Sequence, residues 1–193
     1  MHKPISQAQI LIAGPARNNA DTLATEITTL LNSVVGFQKV HCLVVESDST
    51  DNTLDALEEL KNTISSFDYI SFGHLSKKMP NRTERLAFAR NCILDELRNN
   101  PKYASVDYVV MADLDGVNRS ITREKIEACW DLTEPWDVIT AIQSDRYFDI
   151  WALRHPDWNP IDCFTQRTRL ESVMGKEAAN NLAVKAKQVV LPS

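Results

Sequence analysis

The sequence predicts an α/β domain: an open, mostly parallel sheet flanked by helices. Three short runs, Gln9 to Ala13, Val40 to Val45 and Tyr108 to Ala112, are nearly continuous in apolar residues, as strands covered on both faces must be. Between them lie segments whose apolar residues recur every three to four positions, the period of a helix with one buried face. Strand and helix alternate, so the helices act as crossovers, and a ligand site is expected at the carboxyl ends of the strands.

Taken in order, Gln9 to Ala13 is the first strand, and Leu23, Ile27, Leu30 and Leu31 mark the buried stripe of the first helix. Val40 to Val45 is the second strand, followed by a helix carried on Leu54, Leu57, Leu60 and Ile64. Asp68 to Phe72 is a further strand of the same kind. A third helix starts after Pro80 and runs to about Asn99 on Leu86, Ala89, Ile93 and Leu97, before Pro101 stops it. The strand at Tyr108 follows. Beyond Asp115 the pattern is less regular: a helix over Thr122 to Leu132, strands over Val138 to Ile142 and Tyr147 to Leu153, a proline-containing loop from His155 to Pro160, and a helix over Thr168 to Ala186. No repeat or linker interrupts the chain, which reads as one domain over residues 1–193.

Composition narrows the function classes. The 193 residues are 44% hydrophobic, 24% charged and 7% aromatic, an ordinary globular balance that excludes disordered and collagen-like chains. Lys and Arg number 21 against 26 Asp and Glu, a formal net charge of -5, so no broad nucleic-acid or anionic-lipid footprint is expected. Cys42, Cys92, Cys129 and Cys163 are scattered without a C-x-x-C pair, and read as reduced thiols of a cytoplasmic protein. No apolar run approaches the ~20 residues of a membrane span. Peripheral contact with a membrane surface stays open.

The chemistry-bearing residues collect at the strand ends. Val109-Val-Met-Ala-Asp113-Leu-Asp115-Gly116 is a strand closing on two aspartates one residue apart. Carboxylates so placed repel each other unless a cation sits between them, and oxygen ligands suit Mg²⁺ or Mn²⁺, which would hold phosphates. The plainer alternative is a turn at Asp115-Gly116 capped by Asp113. The second strand closes on Glu46-Ser-Asp48-Ser-Thr-Asp51, where Glu46 or Asp48 could accept from a base or ribose and Asp51 or Thr50 could cap the following helix. The first strand leaves through Gly14, which permits close passage past a ligand, towards Arg17, suited to a diphosphate. Neither G-x-G-x-x-G nor G-K-[ST] follows, which disfavours a dinucleotide fold or a P-loop. Arg82, Arg85 and Arg90 open the third helix. They are either a phosphate clamp or a solvated face on which Glu84 pairs with a neighbouring arginine.

In their order and spacing, these segments resemble the GT-A glycosyltransferases, which transfer a sugar from a nucleotide diphosphate through a D-x-D metal site. Glu46 to Thr53 looks like a variant of the D-D-G-S-T-D-x-T segment of family-two-type transferases, with Glu46 at the first aspartate and the glycine replaced by Ser49 or thereabouts. More narrowly, Arg17-Asn18, Glu46 to Asp51, Asn81-Arg82-Thr83 and Tyr147 to Arg154 are similar to capsule-associated, cryptococcal-type mannosyltransferases and their bacterial relatives. The resemblance covers about residues 8 to 154. It implies a Rossmann-like GT-A fold, with a donor-binding half over about 8–118 and a reduced acceptor side over 119–193. Ala13, Gly14, Arg17, Glu46, Asp48, Arg82, Arg90 and Asp113 would face the donor nucleotide, and Asp115 with Asp113 the Mn²⁺ or Mg²⁺. The donor would be a UDP- or GDP-sugar and the acceptor a glycan or lipid-linked precursor in polysaccharide biosynthesis. Asp145, Asp149 and Asp162 are the candidates for a catalytic base, and Trp151, Arg154 and Trp158 for an acceptor pocket.

Two other classes compete. Met111 to Val117 also resembles the first motif of haloacid-dehalogenase-type phosphatases, with Asp113 as nucleophile, although that motif normally opens a chain and here more than half the chain precedes it. A nucleotide-sugar binding module on the same fold would keep the site and lack turnover.

Overall fold

The computed structural model describes residues 2–140 and 163–178. In order the chain forms β1 (Gln9–Ala16), α1 (Ala20–Ser33), β2 (Lys39–Glu46), α2 (Thr53–Thr63), β3 (Phe67–Ser71), α3 (Arg82–Asn99), β4 (Tyr108–Met111), α4 (Arg123–Glu127) and α5 (Cys163–Met174). The four strands make one sheet in the order β3-β2-β1-β4, and every pairing is parallel. Ile10 sits opposite Val40 on one side and Tyr108 on the other. The expected α/β architecture, a parallel sheet flanked by helices, is therefore present.

The two-residue period of a strand sorts the core into two layers. Ile10 and Ile12 of β1 and Cys42 and Val44 of β2 face α1 and α2, packing with Leu23, Ile27, Leu30, Leu57 and Leu60. Leu11, Ala13, Leu43 and Val45 face the other way, against Ala89 and Ile93 of α3 and against Tyr103. Both faces of the central strands are thus covered, which is why their sequences show almost no polar alternation. A 14-residue helix is marginal on its own; at roughly 2 kcal/mol for each Leu or Ile taken out of water, the stripe Leu23, Ile27 and Leu30 docks α1. Cys42 lies inside this core as a free thiol, and burial pushes its pKa up to about 12, leaving it inert.

Expectations for the second half of the chain need correction where it is described. The helix expected over Thr122 to Leu132 ends at Glu127 and gives way to turns through Trp130. Trp130 is held instead at the amino end of β4: its indole donates to the Lys3 carbonyl (2.9 Å), and its ring meets Phe37, Tyr108 and Trp136 edge-on. Residues 138–140 carry no strand, and the rest of that expected element, the strand over Tyr147 to Leu153 and the loop from His155 to Pro160 lie outside the described residues. The helix expected from Thr168 begins at Cys163 and ends at Met174, before Gly175 with φ 85°. By contact density the chain divides into two units, residues 1–137 and 138–193. No helix among the described residues is long and apolar enough to cross a membrane.

Gly14 also has a different reason from the one expected. It lies within β1 beside the residues that leave β4, and a Cβ built there would stand 2.1 Å from the Ala112 carbonyl oxygen. The missing side chain makes room for the backbone that leaves β4.

Candidate functional site at the carboxyl ends of the strands

Parallel pairing brings the carboxyl ends of β1, β2 and β4 to one side of the sheet, and the loops that leave them are tied together by side chains. Asn18, with φ 51°, donates its backbone N–H to Ser49 Oγ (3.1 Å) and accepts the Thr50 N–H on Oδ1 (2.7 Å). The Asn19 N–H donates to Thr53 Oγ1 (3.0 Å). Asp51 accepts from the N–H groups of Ala20 (3.2 Å) and Thr53 (3.1 Å) and from the Thr53 hydroxyl (2.5 Å). One carboxylate therefore satisfies orphan donors at the starts of both α1 and α2. The Thr53 hydroxyl and these N–H groups hold its pKa below the usual carboxylate value.

The two acids expected near a base or ribose are turned inward. Glu46 is buried and accepts from the Ser49 N–H (2.9 Å) and from the Ser71 hydroxyl. Asp48 is 5% exposed; its Oδ1 accepts the N–H (2.8 Å) and hydroxyl (2.5 Å) of Ser76, and its Oδ2 lies 3.4 Å from Arg85 Nε. Arg85 is fixed in turn by the carbonyls of Met79 (2.7 Å) and Pro80 (2.6 Å). Asp48 has φ 62°, the left-handed conformation that glycine adopts freely and that aspartate tolerates better than most residues. Asp48, not Ser49, therefore takes the place of the motif's glycine, as follows when Asp51 and Thr53 are matched to the segment. Arg17 reaches this loop too, its Nε donating to the Asp48 carbonyl (3.2 Å).

Burial works against the Asp48 charge, but the Ser76 donors and the Arg85 guanidinium outweigh it and hold its pKa below 3.8. Asp51 is shifted the same way, as is Asp107, which accepts from Lys3 and from the Gln9 N–H. A folded-state pKa below the unfolded one means that the stabilisation is complete above the unfolded value and drains away as pH falls through the folded one. Denaturant melts are accordingly expected to show a stability plateau near neutrality and a decline that sets in below about pH 4. Stability that rose on acidification through this window would contradict the assignment.

At the end of β4 the chain stays extended, so Ala112 and Leu114 enter the core while Asp113 and Asp115 are exposed. Arg90 of α3 reaches Asp113, with Nη2 2.9 Å from Oδ1. Among the described residues no hydrogen bond or ion pair engages the Asp115 carboxylate. Gly116, with φ 94°, reverses the chain so that Asn118 folds back and donates Nδ2 to the Asp113 carbonyl (2.6 Å) and to Glu26 Oε2 (2.5 Å). Asn19 Nδ2 donates to the Leu114 carbonyl (2.6 Å). Two hard-oxygen groups on one exposed segment, one of them without a partner among the described residues, fit a divalent cation. Among the described residues no three His, Cys, Asp or Glu side chains converge.

The structure thus joins Arg17 to Asp48 and Arg90 to Asp113, and places Ala13 and Gly14 inside the sheet. Arg82 is exposed at the first position of α3. The solvated-face alternative fails for Arg85, which is mostly buried against Asp48, whereas Arg90 meets Asp113 in an exposed pair, and Glu84 accepts from Asn81 (2.9 Å) rather than from an arginine. Asp145, Asp149, Trp151, Arg154, Trp158 and Asp162 lie outside the described residues. The sequence reading missed Ser71, Ser76, Asn19, Asn118 and Glu26. Glu26 alone carried a signal: it stands at the i+3 position from Leu23, on the apolar face of α1.

Residues 12–184 match the family model described as glycosyl transferase family 2. Solved structures also show similarity, among them the crystal structure of S. aureus TarS 1-349, with TM-score 0.43 and 15% sequence identity over 64% of this chain and 31% of that one. This chain accordingly spans less than a third of that structure's length. No curated protein matches it.

Proposed function

Since this chain belongs to glycosyl transferase family 2, we propose that it transfers a sugar from a UDP- or GDP-sugar to a glycan or lipid-linked acceptor, with the aid of Mn²⁺ or Mg²⁺. The observation that carries this reading is the exposed pair Asp113 and Asp115 at the carboxyl end of β4, with the Arg90 guanidinium 2.9 Å from Asp113. Asp115, with Asp113, would hold the cation. Bound there, the ion supplies positive charge against the diphosphate that leaves as the sugar–phosphate bond breaks.

Several of the chain's own groups have roles in the same reading. Arg90 lies where it can trade its carboxylate partner for a phosphate oxygen, and exposed Arg82 adds positive charge at the start of α3. The inward-turned Glu46 and Asp48 act as props: they fix the loop whose backbone and hydroxyls border the site, and Arg17 braces it from β1. A lipid-linked acceptor would bring the protein to a membrane surface. The acceptor-side base is sought among Asp145, Asp149 and Asp162. Nothing in the geometry favours the phosphatase alternative.

Calorimetric titration with UDP and with GDP, each with and without Mn²⁺, tests the reading. One nucleotide is expected to bind in a Mn²⁺-dependent manner, and Asp115→Ala to lose that dependence with an unchanged melting temperature. Retained dependence in the folded variant, or no binding of either nucleotide to the parent protein, would overturn it. Release of sugar from the matching donor separates the transferase from a binding module.

A further inference from the structure

We infer that Glu26 and Asn118 are positioning residues that set the Asp113–Asp115 carboxylate pair from behind, an inference that rests on the proposed metal-dependent function. Glu26 is 2% exposed, on the core face of α1 beside Leu23 and Ile27. A carboxylate taken out of water in such a place is costly unless donors meet it. Among the described residues no cation does so. Its donors among the described residues are both from Asn118, through Nδ2 (2.5 Å) and the backbone N–H (3.3 Å).

Asn118 Nδ2 has a second acceptor, the Asp113 carbonyl at 2.6 Å. One side-chain amide therefore links a buried helix acid to the peptide that leads out of the first aspartate. The next carbonyl, that of Leu114, is held by Asn19 Nδ2 at 2.6 Å. Consecutive peptide oxygens are thus pinned by amides from two elements 99 residues apart in sequence, and the positive φ of Gly116 lets the chain double back to supply one of them. The outcome is an extended Asp113-Leu114-Asp115 segment with Leu114 in the core and both carboxylates outward. Oxygen ligands bind a cation best when their backbone is already fixed, because no ordering cost then falls on the ion.

A purely structural role predicts something different. Buried polar groups of this kind are often replaceable by apolar ones without loss of stability, since both partners are removed together. The double variant Glu26→Leu/Asn118→Leu is therefore the informative one, with Glu26→Gln as the conservative control that keeps an acceptor oxygen. Two readouts apply to the full chain: Mn²⁺ affinity in the presence of the preferred nucleotide, followed by electron paramagnetic resonance, and amide hydrogen exchange of residues 112–118 without metal. The double variant is expected to melt close to the parent, to bind Mn²⁺ about tenfold or more weakly, and to exchange the 112–118 amides faster. Glu26→Gln is expected to retain most of both. A folded double variant with parental Mn²⁺ affinity or with parental exchange at 112–118 would overturn the inference. If the double variant unfolds, Glu26→Gln and Asn118→Ala are compared instead, and parental affinity and exchange in Asn118→Ala overturn it likewise. Absence of Mn²⁺-dependent nucleotide binding in the parent protein would defeat the proposed function, while the exchange experiment would still decide whether Glu26 and Asn118 set the loop.

Discussion

Gly14→Ala is expected to destabilise the protein by about 3 kcal/mol, the upper end of the usual cost of overpacking a core. The added Cβ would lie 2.1 Å from the Ala112 carbonyl oxygen, 3.2 Å from its carbon and 3.3 Å from Leu114 Cγ. Two of those atoms are backbone, so no side-chain rotation relieves the clash. β4 is also tied to β1 at this point by the Ala112 N–H, which donates to the Ala13 carbonyl (2.8 Å). Relief therefore means parting β1 from β4 and shifting the segment that carries Asp113 and Asp115. Urea melts of the parent and the variant measure the first effect, and Mn²⁺-dependent nucleotide binding the second. A loss below about 1 kcal/mol would show that β4 shifts away from β1 cheaply.

Arg85→Met is expected to cost a similar amount, about 3 kcal/mol, because it leaves a buried carboxylate without its counter-charge. The Arg85 side chain is 11% exposed and lies 3.4 Å from Asp48, while its Nη1 also satisfies the Met79 and Pro80 carbonyls. Methionine restores the stem of the side chain and none of these bonds. Ser76 would still donate twice to Asp48, so the site is weakened rather than abolished. Adding Asp48→Asn is expected to recover part of the loss, since asparagine is neutral and tolerates the φ of 62° as well as aspartate does. In Arg85→Met the acid-induced decline is expected to be shallower, because Asp48 no longer has a cation depressing its pKa. Equal stability of the parent and Arg85→Met would mean that the pair is bridged by solvent and contributes nothing net.

Much of the fold was legible because it is written in neighbouring residues. The runs at Ile10 and Val40 announced strands covered on both sides, and Leu23, Ile27 and Leu30 announced the helix that covers one face of them; the run at Tyr108 announced a strand, but only one of its faces is covered, since Val109 and Met111 are exposed. The outward placing of Asp113 and Asp115 has a local cause too: residues i and i+2 on an extended chain face the same way, so with Leu114 buried both carboxylates are exposed. α4 was overestimated because periodicity continued to Leu132, whereas Trp130 had a competing position against Tyr108 and Trp136. That competition depends on a strand more than twenty residues earlier, which no local pattern registers.

The nearly continuous apolar runs and the helical stripes between them by themselves determined that the chain is an α/β protein, and the residues that follow the Tyr108 run showed an acidic pair at that strand's end. Only the tertiary structure decided which groups meet. It turned Glu46 and Asp48 inward on their own loops, gave Arg85 to one acid and Arg90 to another, set Gly14 against Ala112, and drew Glu26 and Asn118 together behind the carboxylate pair. The division has a physical cause. Burial is set by the solvent preference of each residue and its near neighbours, and so leaves a periodic trace along the chain. Hydrogen-bond and ion-pair partners depend on strand order and register, which bring together residues as far apart as Arg90 and Asp113, 23 positions, or Glu26 and Asn118, 92 positions, and leave no such trace.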